Sequence, residues 1–313
     1  MIDRACISLN ARCNLRCVYC HFAEKKNNRA SQLNEFSVDD INVFCTNLYK
    51  YIKDNKIPSF KLGIVGSGEP LLSFKALKAI VDYFSNSDLK NNIKMYVISN
   101  GTLLNEEIVS FFYKNKDIIE LDISLDGDPE INNKLRGCFP NLSLYKKTFG
   151  RMPKINAVVT KEIILNQERV LVFFIDNGFD MINFSKVFAT DDPSIMVSDE
   201  EYDIFLKNAQ SKGIISRQNT LEKKYDCAKY GRLCGVGRNN VFITKTGVYP
   251  CGRFMDLKEY VIGKWDDQIA NIEVNLSKLH PCPEGQCYYE FNKVGNKWLL
   301  LFMVFHVVEK ILS

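Results

Sequence analysis

The sequence lacks both a long hydrophobic run and a stripe of basic residues. Its most apolar segment, residues 298–308, has eleven residues and contains His306, whereas a membrane-spanning helix needs about 20. We interpret this segment as a terminal helix packed on the rest of the protein, with a membrane or partner contact as the alternative. The net charge is only +4 and the 41 Lys and Arg residues are spread along the chain. The sequence therefore gives no indication of nucleic-acid binding.

No secretory signal peptide is evident, because residues 1–4 lead into a strand-like segment without a preceding apolar region. We therefore expect a cytoplasmic protein, in which thiols stay reduced. Eleven cysteines then indicate metal binding or chemistry rather than disulfides. Repeats and low-complexity segments are absent as well. At 313 residues and 46% apolar content, the chain can bury one large core and a smaller one.

Residues 1–212 alternate short apolar runs with longer amphipathic ones. The predicted strands are 5–9, 60–65, 94–99, 118–125, 155–159 and 181–188. The predicted helices are 38–55, 74–84, 105–115, 142–149, 168–177 and 200–212. Ser37 and Asp40 form a capping pair that starts the first helix. Six strand–helix units predict an α/β fold, a partial (βα)6 TIM-type barrel of parallel strands with helices outside.

Residues 213–313 follow a different pattern, in which helical periodicity fades and Gly, Cys and short β-rich runs increase. A strand at 241–244, a turn at 245–247 and a strand at 248–249 predict a β-hairpin. We therefore expect a second, small domain, rich in cysteine, that combines this hairpin with the apolar C-terminal helix.

Three cysteines lie in a loop directly after the first predicted strand, with the spacing Cys13-x-x-x-Cys17-x-x-Cys20. Three thiolates on a four-iron cluster leave one iron without a protein ligand. Such an open position distinguishes catalytic metal sites from structural ones. Two alternatives stay open: a tetrahedral zinc site completed by His21, or ordinary buried thiols.

Small and polar residues follow the predicted strands at their carboxyl ends, where βα barrels bind ligands. After the second strand, Gly68 allows close approach of a ligand to the backbone, and Glu69 can meet a cationic amine. The corresponding residues of the next three strands are Ser99, Asn100, Ser124, Asp126 and Val158. Each of these on its own is also compatible with ordinary turn chemistry.

The cysteine triplet, with Tyr19 before its last member, resembles the signature of the radical SAM superfamily. This resemblance implies that the open iron binds S-adenosylmethionine (SAM), and that an electron from the cluster cleaves SAM to a 5′-deoxyadenosyl radical. Gly68 and Glu69 would hold the SAM amino group, although the family's usual Gly-Gly-Glu-Pro has Ser67 here. The other implied cofactor contacts are Tyr19, Ser99, Asn100, Ser124, Asp126, Arg136 (SAM carboxylate) and Val158 (adenine).

Five further cysteines lie toward the C-terminus. Cys234, Cys251, Cys282 and Cys287 resemble the ligands of SPASM and twitch extensions, which implies one auxiliary [4Fe-4S] cluster. Zinc is the alternative, but zinc ribbons favour Cys-x-x-Cys pairs, which are absent here. Cys227 is either a further ligand or a free thiol that donates a hydrogen atom to a substrate radical, and it is the candidate catalytic residue.

The family resemblance leads us to expect an enzyme that modifies a ribosomally made peptide by epimerisation, cross-linking or oxidation of a residue. A twitch-type oxidoreductase acting on a small molecule is the alternative, followed by a non-catalytic metal-binding protein. Gly252 stands where anaerobic sulfatase maturases carry an Asp base, which argues against formylglycine formation. The expected partners are a precursor peptide, a reductant such as flavodoxin or ferredoxin, and a separate leader-recognition protein.

Overall fold

The computed structural model describes residues 1–20, 22, 35–187, 192–214, 236–255 and 257–279. Several residues singled out above lie outside these ranges, and their predicted roles stay predictions. They are His21, Cys227, Cys234, Cys282, Cys287 and the apolar segment 298–308.

One sheet of eight strands, in the order β6-β5-β4-β3-β2-β1-β7-β8, forms the centre of the fold. Its strands are β1 (Arg4–Ile7), β2 (Phe60–Ile64), β3 (Ile93–Ser99), β4 (Ile119–Ser124), β5 (Ile155–Val159), β6 (Ile182–Lys186), β7 (Asn240–Thr244) and β8 (Gly247–Tyr249). All neighbouring pairs are parallel except β7 and β8, which form the predicted antiparallel hairpin. The six predicted barrel strands are confirmed in their predicted order. The hairpin extends the same sheet, because β7 pairs with β1.

Helices connect the strands. They are α1 (Val38–Asp54), α2 (Phe74–Ser85), α3 (Glu106–Lys114), α4 (Pro129–Arg136), α5 (Ser143–Phe149), α6 (Lys161–Leu165), α7 (Gln167–Asp176), α8 (Asp199–Ser211) and α9 (Ile269–Ser277). The capping box of Ser37 and Asp40 is present at the start of α1. The sequence analysis did not predict α4, which Asp128 caps at its start and Gly137 ends in a left-handed conformation.

The two faces of the sheet differ because side chains alternate along each strand. One face is apolar and packs against the helices; Leu62, Val97 and Leu121 on it are all at most 2% exposed. Burying such a side chain stabilises the fold by about 1.5–3 kcal/mol. The opposite face carries partly exposed polar residues such as Asp122 and Asn156. Within the described ranges, no helix is long and apolar enough to cross a membrane.

Candidate functional site

The cysteine loop, which we define as residues 8–20, leaves β1 at the carboxyl end of the sheet. The thiols of Cys13, Cys17 and Cys20 are free and half-buried. The loop turns at its end, where the Cys20 amide donates to the Cys17 carbonyl at 3.0 Å. Burial raises the pKa of Cys17, Arg136 opposes this rise, and the nearby Cys20 and Cys13 add to it.

The thiols of Cys13 and Cys20 are thus close enough to that of Cys17 to raise its pKa. Among the residues that the structure describes, no three His, Cys, Asp or Glu side chains are arranged to hold a single metal ion.

Asn10 joins the start of the cysteine loop to the segment after β2. Its side-chain nitrogen donates to the Glu69 backbone carbonyl at 3.0 Å and to the Ser73 hydroxyl at 2.8 Å. Its side-chain oxygen accepts from the Arg12 backbone amide at 2.8 Å. The Glu69 amide donates in turn to the Arg12 carbonyl at 2.7 Å. Asn10 is buried, and the sequence analysis did not single it out.

Gly68 lies directly against the cysteine loop. A Cβ atom at this position would be 2.1 Å from the Asn10 Oδ1 atom and 2.6 Å from the Arg12 carbonyl. No side chain fits there, so the packing of the two loops already requires glycine. The sequence analysis had explained this glycine by the approach of a ligand, and the contact with the cysteine loop is a second reason.

Glu69 is 2% exposed, and its carboxylate joins the ends of β2 and β3. One oxygen accepts from the Ser99 hydroxyl at 2.7 Å and from the Leu71 amide at 3.0 Å, and the other accepts from the Asn100 amide at 2.8 Å. Burial raises the pKa of Glu69, and these hydrogen bonds oppose the rise. Since a carboxylate has about four acceptor positions, one is left for a cationic ligand.

Asn100 connects β3 to the first cysteine. Its amide nitrogen donates to Asn14 Oδ1 at 2.8 Å and lies 4.0 Å from the Cys13 sulfur. Asn14 donates to the Thr102 hydroxyl at 2.7 Å. The structure therefore brings Glu69, Ser99 and Asn100 together beside Cys13, as the strand-end argument predicted.

Tyr19 joins the second half of the loop to β4 and α4. Its hydroxyl donates to the Asp126 carboxylate and accepts from the Arg136 guanidinium. Arg136 Nη1 also lies 3.5 Å from Asp126 Oδ2, with side-chain exposures of 9% and 0%. Burial first, and then the Asp126 charge, raise the pKa of Tyr19 well above its usual value. The Val158 amide donates to the other Asp126 oxygen at 2.8 Å.

The resemblance to the radical SAM superfamily implied SAM contacts for Tyr19, Asp126, Arg136 and Val158. The structure brings them together and shows bonds among them that the sequence did not indicate. Ser124 is half-buried at the end of β4, opposite Asn156 in the neighbouring strand.

Cys251 is half-buried before a short 3₁₀ turn, Gly252–Phe254, and packs against the small apolar group around Phe242. Cys6 packs against the same group. A Cβ at Gly252 would lie 3.0 Å from the Phe242 ring, so any side chain there requires the ring to move. The other predicted ligands of an auxiliary cluster lie outside the described residues.

A cavity of about 720 Å³ occupies the polar face of the sheet, toward the amino-terminal ends of the strands. Its wall includes a row of hydrogen-bonded side chains across three strands. Asn156 donates to Asp122 at 3.1 Å, and Asn183 donates to Asn156 at 3.0 Å. Tyr96 and Lys61 continue the wall on β3 and β2.

Comparison with known proteins adds a family assignment to this geometry. A family model described as the radical SAM superfamily matches residues 7–156. An uncharacterized protein of Methanocaldococcus jannaschii is 30% identical over 234 residues, which cover 66% of this chain and 74% of that protein. A cysteine-type anaerobic sulfatase-maturating enzyme of Clostridium novyi is 26% identical over 185 residues, which cover 56% of this chain but only 48% of the enzyme.

Solved structures share the fold. The structure of anSMEcpe with bound AdoMet superimposes with a TM-score of 0.70 at 19% identity, covering 86% of this chain and 76% of that one. Streptococcus suis SuiB bound to the precursor peptide SuiA gives a TM-score of 0.61 at 18% identity, covering 87% and 64%. The α/β partial barrel expected from the sequence is therefore confirmed.

Proposed function

The chain belongs to the radical SAM superfamily, and from that premise we propose that it modifies a ribosomally made peptide. It is a radical SAM enzyme, a class whose cofactors are SAM and a [4Fe-4S] cluster. The type of substrate and the reaction on it are the parts that we propose.

Cys13, Cys17 and Cys20 would hold the cluster. Their free thiols on one loop, in electrostatic range of each other, suit this role. When bound, the cluster and SAM would supply the one-electron chemistry for hydrogen-atom removal from the substrate. The remaining acceptor position of Glu69 suits the SAM amino group. Ser99, Asn100 and Ser124 stay our candidates for the ribose and carboxylate, with Val158 for adenine.

The protein's contribution to such chemistry is to position the reactants and to exclude water. The buried hydrogen bonds of Glu69 and Asp126 support this role, because they fix the ends of β2 to β5 relative to the cysteine loop. Both carboxylates are at most 2% exposed.

The polar lining of the cavity is the observation that carries the proposal of a peptide substrate. Its volume of about 720 Å³ is in the range of about 300–1,000 Å³ typical of small-molecule pockets, so the choice of a peptide rests on the lining and not on the volume. The Asp122–Asn156–Asn183 row presents amide and carboxylate groups, which match the donors and acceptors of a peptide backbone. Asn156 is two residues before Val158, a step of about 7 Å along a strand. The cavity lies toward the amino-terminal ends of the strands, but through Asn156 its wall reaches within one such step of Val158, a candidate SAM contact at the carboxyl end.

The relatives support the same substrate class. The C. novyi relative is named as a sulfatase-maturating enzyme, and SuiB was solved with its precursor peptide. We propose a reaction other than formylglycine formation, because Gly252 supplies no base at the position where anaerobic sulfatase maturases carry an Asp. Epimerisation, cross-linking and residue oxidation are the candidates.

We further propose that Cys234, Cys251, Cys282 and Cys287 hold an auxiliary [4Fe-4S] cluster, and that Cys227 donates a hydrogen atom at the end of the reaction. Residues 213–313 would then form the auxiliary-cluster domain beside the barrel of residues 1–212. A flavodoxin or ferredoxin would supply electrons, and a separate protein would recognise the leader peptide.

Transfer of deuterium to 5′-deoxyadenosine tests the substrate class without knowledge of the substrate. Reconstituted protein is incubated with SAM, dithionite and a tryptic peptide mixture from fully deuterated cells, and mass spectrometry measures deuterium in 5′-deoxyadenosine. A parallel reaction contains deuterated sugars and amino sugars in place of peptides. We expect deuterium only from the peptide mixture. Deuterium only from the small molecules would favour a small-molecule oxidoreductase, and absence of SAM cleavage in both reactions would indicate a non-catalytic protein.

The variant Asn156→Leu tests whether the cavity is where the peptide binds. It should lower deuterium transfer from peptides at least about tenfold, since two hydrogen bonds of the row are lost, while SAM cleavage without substrate persists. Asn86→Leu, at the exposed end of α2, is the matched control and should behave as wild type. If Asn156→Leu transfers as much deuterium as Asn86→Leu, the peptide binds outside this cavity.

A further inference from the structure

Two separate groups of contacts hold the cysteine loop. The first half is bonded to the ends of β2 and β3 through Asn10 and Asn14. The second half, which carries Cys17 and Cys20, is bonded to β4 and α4 through Val18 and Tyr19. The Val18 amide donates to the Leu135 carbonyl at 2.9 Å, in addition to the Tyr19 contacts described above.

The second group consists of a buried ion pair and a hydroxyl. Asp126 and Arg136 have almost no exposed surface, and the Tyr19 hydroxyl lies between them as donor to one and acceptor from the other. Hydrogen bonds to charged groups are stronger than those between neutral groups. A buried charge that loses its partner is strongly unfavourable. The loop therefore cannot move Tyr19 away without breaking up a buried charged network.

This network is itself fixed to the barrel. The Asp126 amide donates to Asn132 Oδ1 at 3.0 Å, and Asn132 donates to the Cys138 carbonyl at 2.6 Å. Together with the Val158 contact, these bonds connect β4, α4 and β5. All of these bonds are made by the protein's own groups.

We propose that Tyr19, Asp126 and Arg136 are positioning residues that place Cys17 and Cys20 before the cluster binds. The iron–sulfur cluster then enters a loop whose second half the barrel already holds in place. Arg136 acts through Tyr19 and Asp126, and its contact with SAM is a separate expectation. This inference rests on membership of the family and does not depend on the proposed peptide substrate.

Hydrogen–deuterium exchange of the iron-free, full-length protein tests the proposal. The peptide that covers residues 14–20 should be protected in the wild type. In Tyr19→Phe and Asp126→Asn, it should exchange at least about tenfold faster, since a hydrogen bond to a charged group is lost. Iron content after reconstitution should fall, and the EPR spectrum of the reduced cluster should broaden, because the thiols then adopt several arrangements.

The matched control is Tyr51→Phe. The hydroxyl of this buried tyrosine also makes two hydrogen bonds, from the Ile2 amide at 2.8 Å and to Glu273 at 2.7 Å. Tyr51→Phe should lower thermal stability about as much as Tyr19→Phe, yet leave exchange at residues 14–20 and the EPR spectrum as in wild type.

Three outcomes would overturn the proposal. One is exchange of the loop in the iron-free wild type as fast as in an unfolded peptide, since only the cluster would then order the loop. Another is an equal effect of Tyr19→Phe and Tyr51→Phe on the loop, since the effect would then be one of general stability. The third concerns Arg136→Lys. If this variant binds SAM more weakly but its loop exchanges as in wild type, Arg136 is a SAM ligand rather than a positioning residue.

Discussion

Ser99 donates a hydrogen bond of 2.7 Å to Glu69 and accepts one of 3.0 Å from the Gly101 amide, so one buried hydroxyl serves two strand ends. The Ser99→Ala variant leaves both partners short of a hydrogen bond. We expect a loss of about 1–3 kcal/mol in the free energy of unfolding, measured by urea denaturation, together with weaker SAM binding.

Ser85→Ala is the control for Ser99→Ala. The Ser85 hydroxyl is buried, and among the described residues it has no hydrogen-bond partner. Its removal should therefore be neutral or slightly stabilising. An equal loss of stability in both variants would show that the Ser99 hydroxyl does not stabilise the strand ends.

The variant Gly68→Ala should be destabilised through steric overlap, because its Cβ would lie 2.1 Å from Asn10 and 2.6 Å from a backbone carbonyl. Gly178→Ala provides the comparison: no atom lies within 4 Å, but the φ angle is +75°, which costs about 1 kcal/mol in a residue with a side chain. We expect Gly68→Ala to lose more stability than Gly178→Ala and to lose iron binding as well. Wild-type iron content in Gly68→Ala would contradict the packing argument.

We expect Asp40 to stabilise the folded protein by an amount that decreases at acidic pH. Burial would raise the pKa of Asp40, but hydrogen bonds from Lys245, at 2.5 Å, and from Ser37 outweigh it and lower the pKa. A lowered carboxyl pKa stabilises the fold above the pKa of the unfolded state, and the stabilisation disappears as the pH falls through the folded-state value. Asp40→Asn should therefore lose about 1 kcal/mol at pH 7.

The difference between the two proteins should shrink as the pH falls from the unfolded-state pKa of about 3.9 through the lower folded-state pKa, because Asp40 becomes protonated in the folded protein as well. Thermal unfolding across this pH range measures the difference. A constant difference between the two proteins from pH 7 to pH 3 would mean that the charge of Asp40 is not the cause.

The triple variant Cys13→Ala/Cys17→Ala/Cys20→Ala separates the two proposed clusters. Wild-type protein reconstituted without oxygen should contain about eight irons, and the triple variant about four, since each [4Fe-4S] cluster holds four. About four irons in wild type and none in the variant would leave the C-terminal cysteines without a cluster. Iron analysis and EPR measure the number of clusters, and neither measurement requires the substrate to be known.

The barrel could be predicted because each of its strands is a short apolar run in the sequence, followed by a longer amphipathic segment. The strand 155–159 was predicted with the bounds that the structure has, and the other five within about two residues. Helix α4 was not predicted because it is short and polar. Its Asp128 cap and terminal Gly137 are visible in the sequence, but the sequence analysis did not use them.

Contacts between distant residues could not be predicted from the sequence. Tyr19 and Asp126 are 107 positions apart, and no local pattern shows that the Asp126 carboxylate faces the Tyr19 hydroxyl rather than a ribose. The same holds for Asn10, whose buried amide has partners 59 and 63 positions away. The positions of residues at the ends of strands were enough to predict which residues belong to the site. The hydrogen bonds between those residues could be identified only from the structure.

The position of β1 has a consequence for synthesis on the ribosome. Strand β1 pairs with β2 on one side and with β7 on the other, so one of its edges stays open until residues 240–244 have left the exit tunnel. An open edge is prone to pairing with other chains, and contacts that are distant in sequence form slowly. The cysteine loop follows this strand directly. We therefore expect the nascent chain to need protection of the β1 edge until its last quarter emerges.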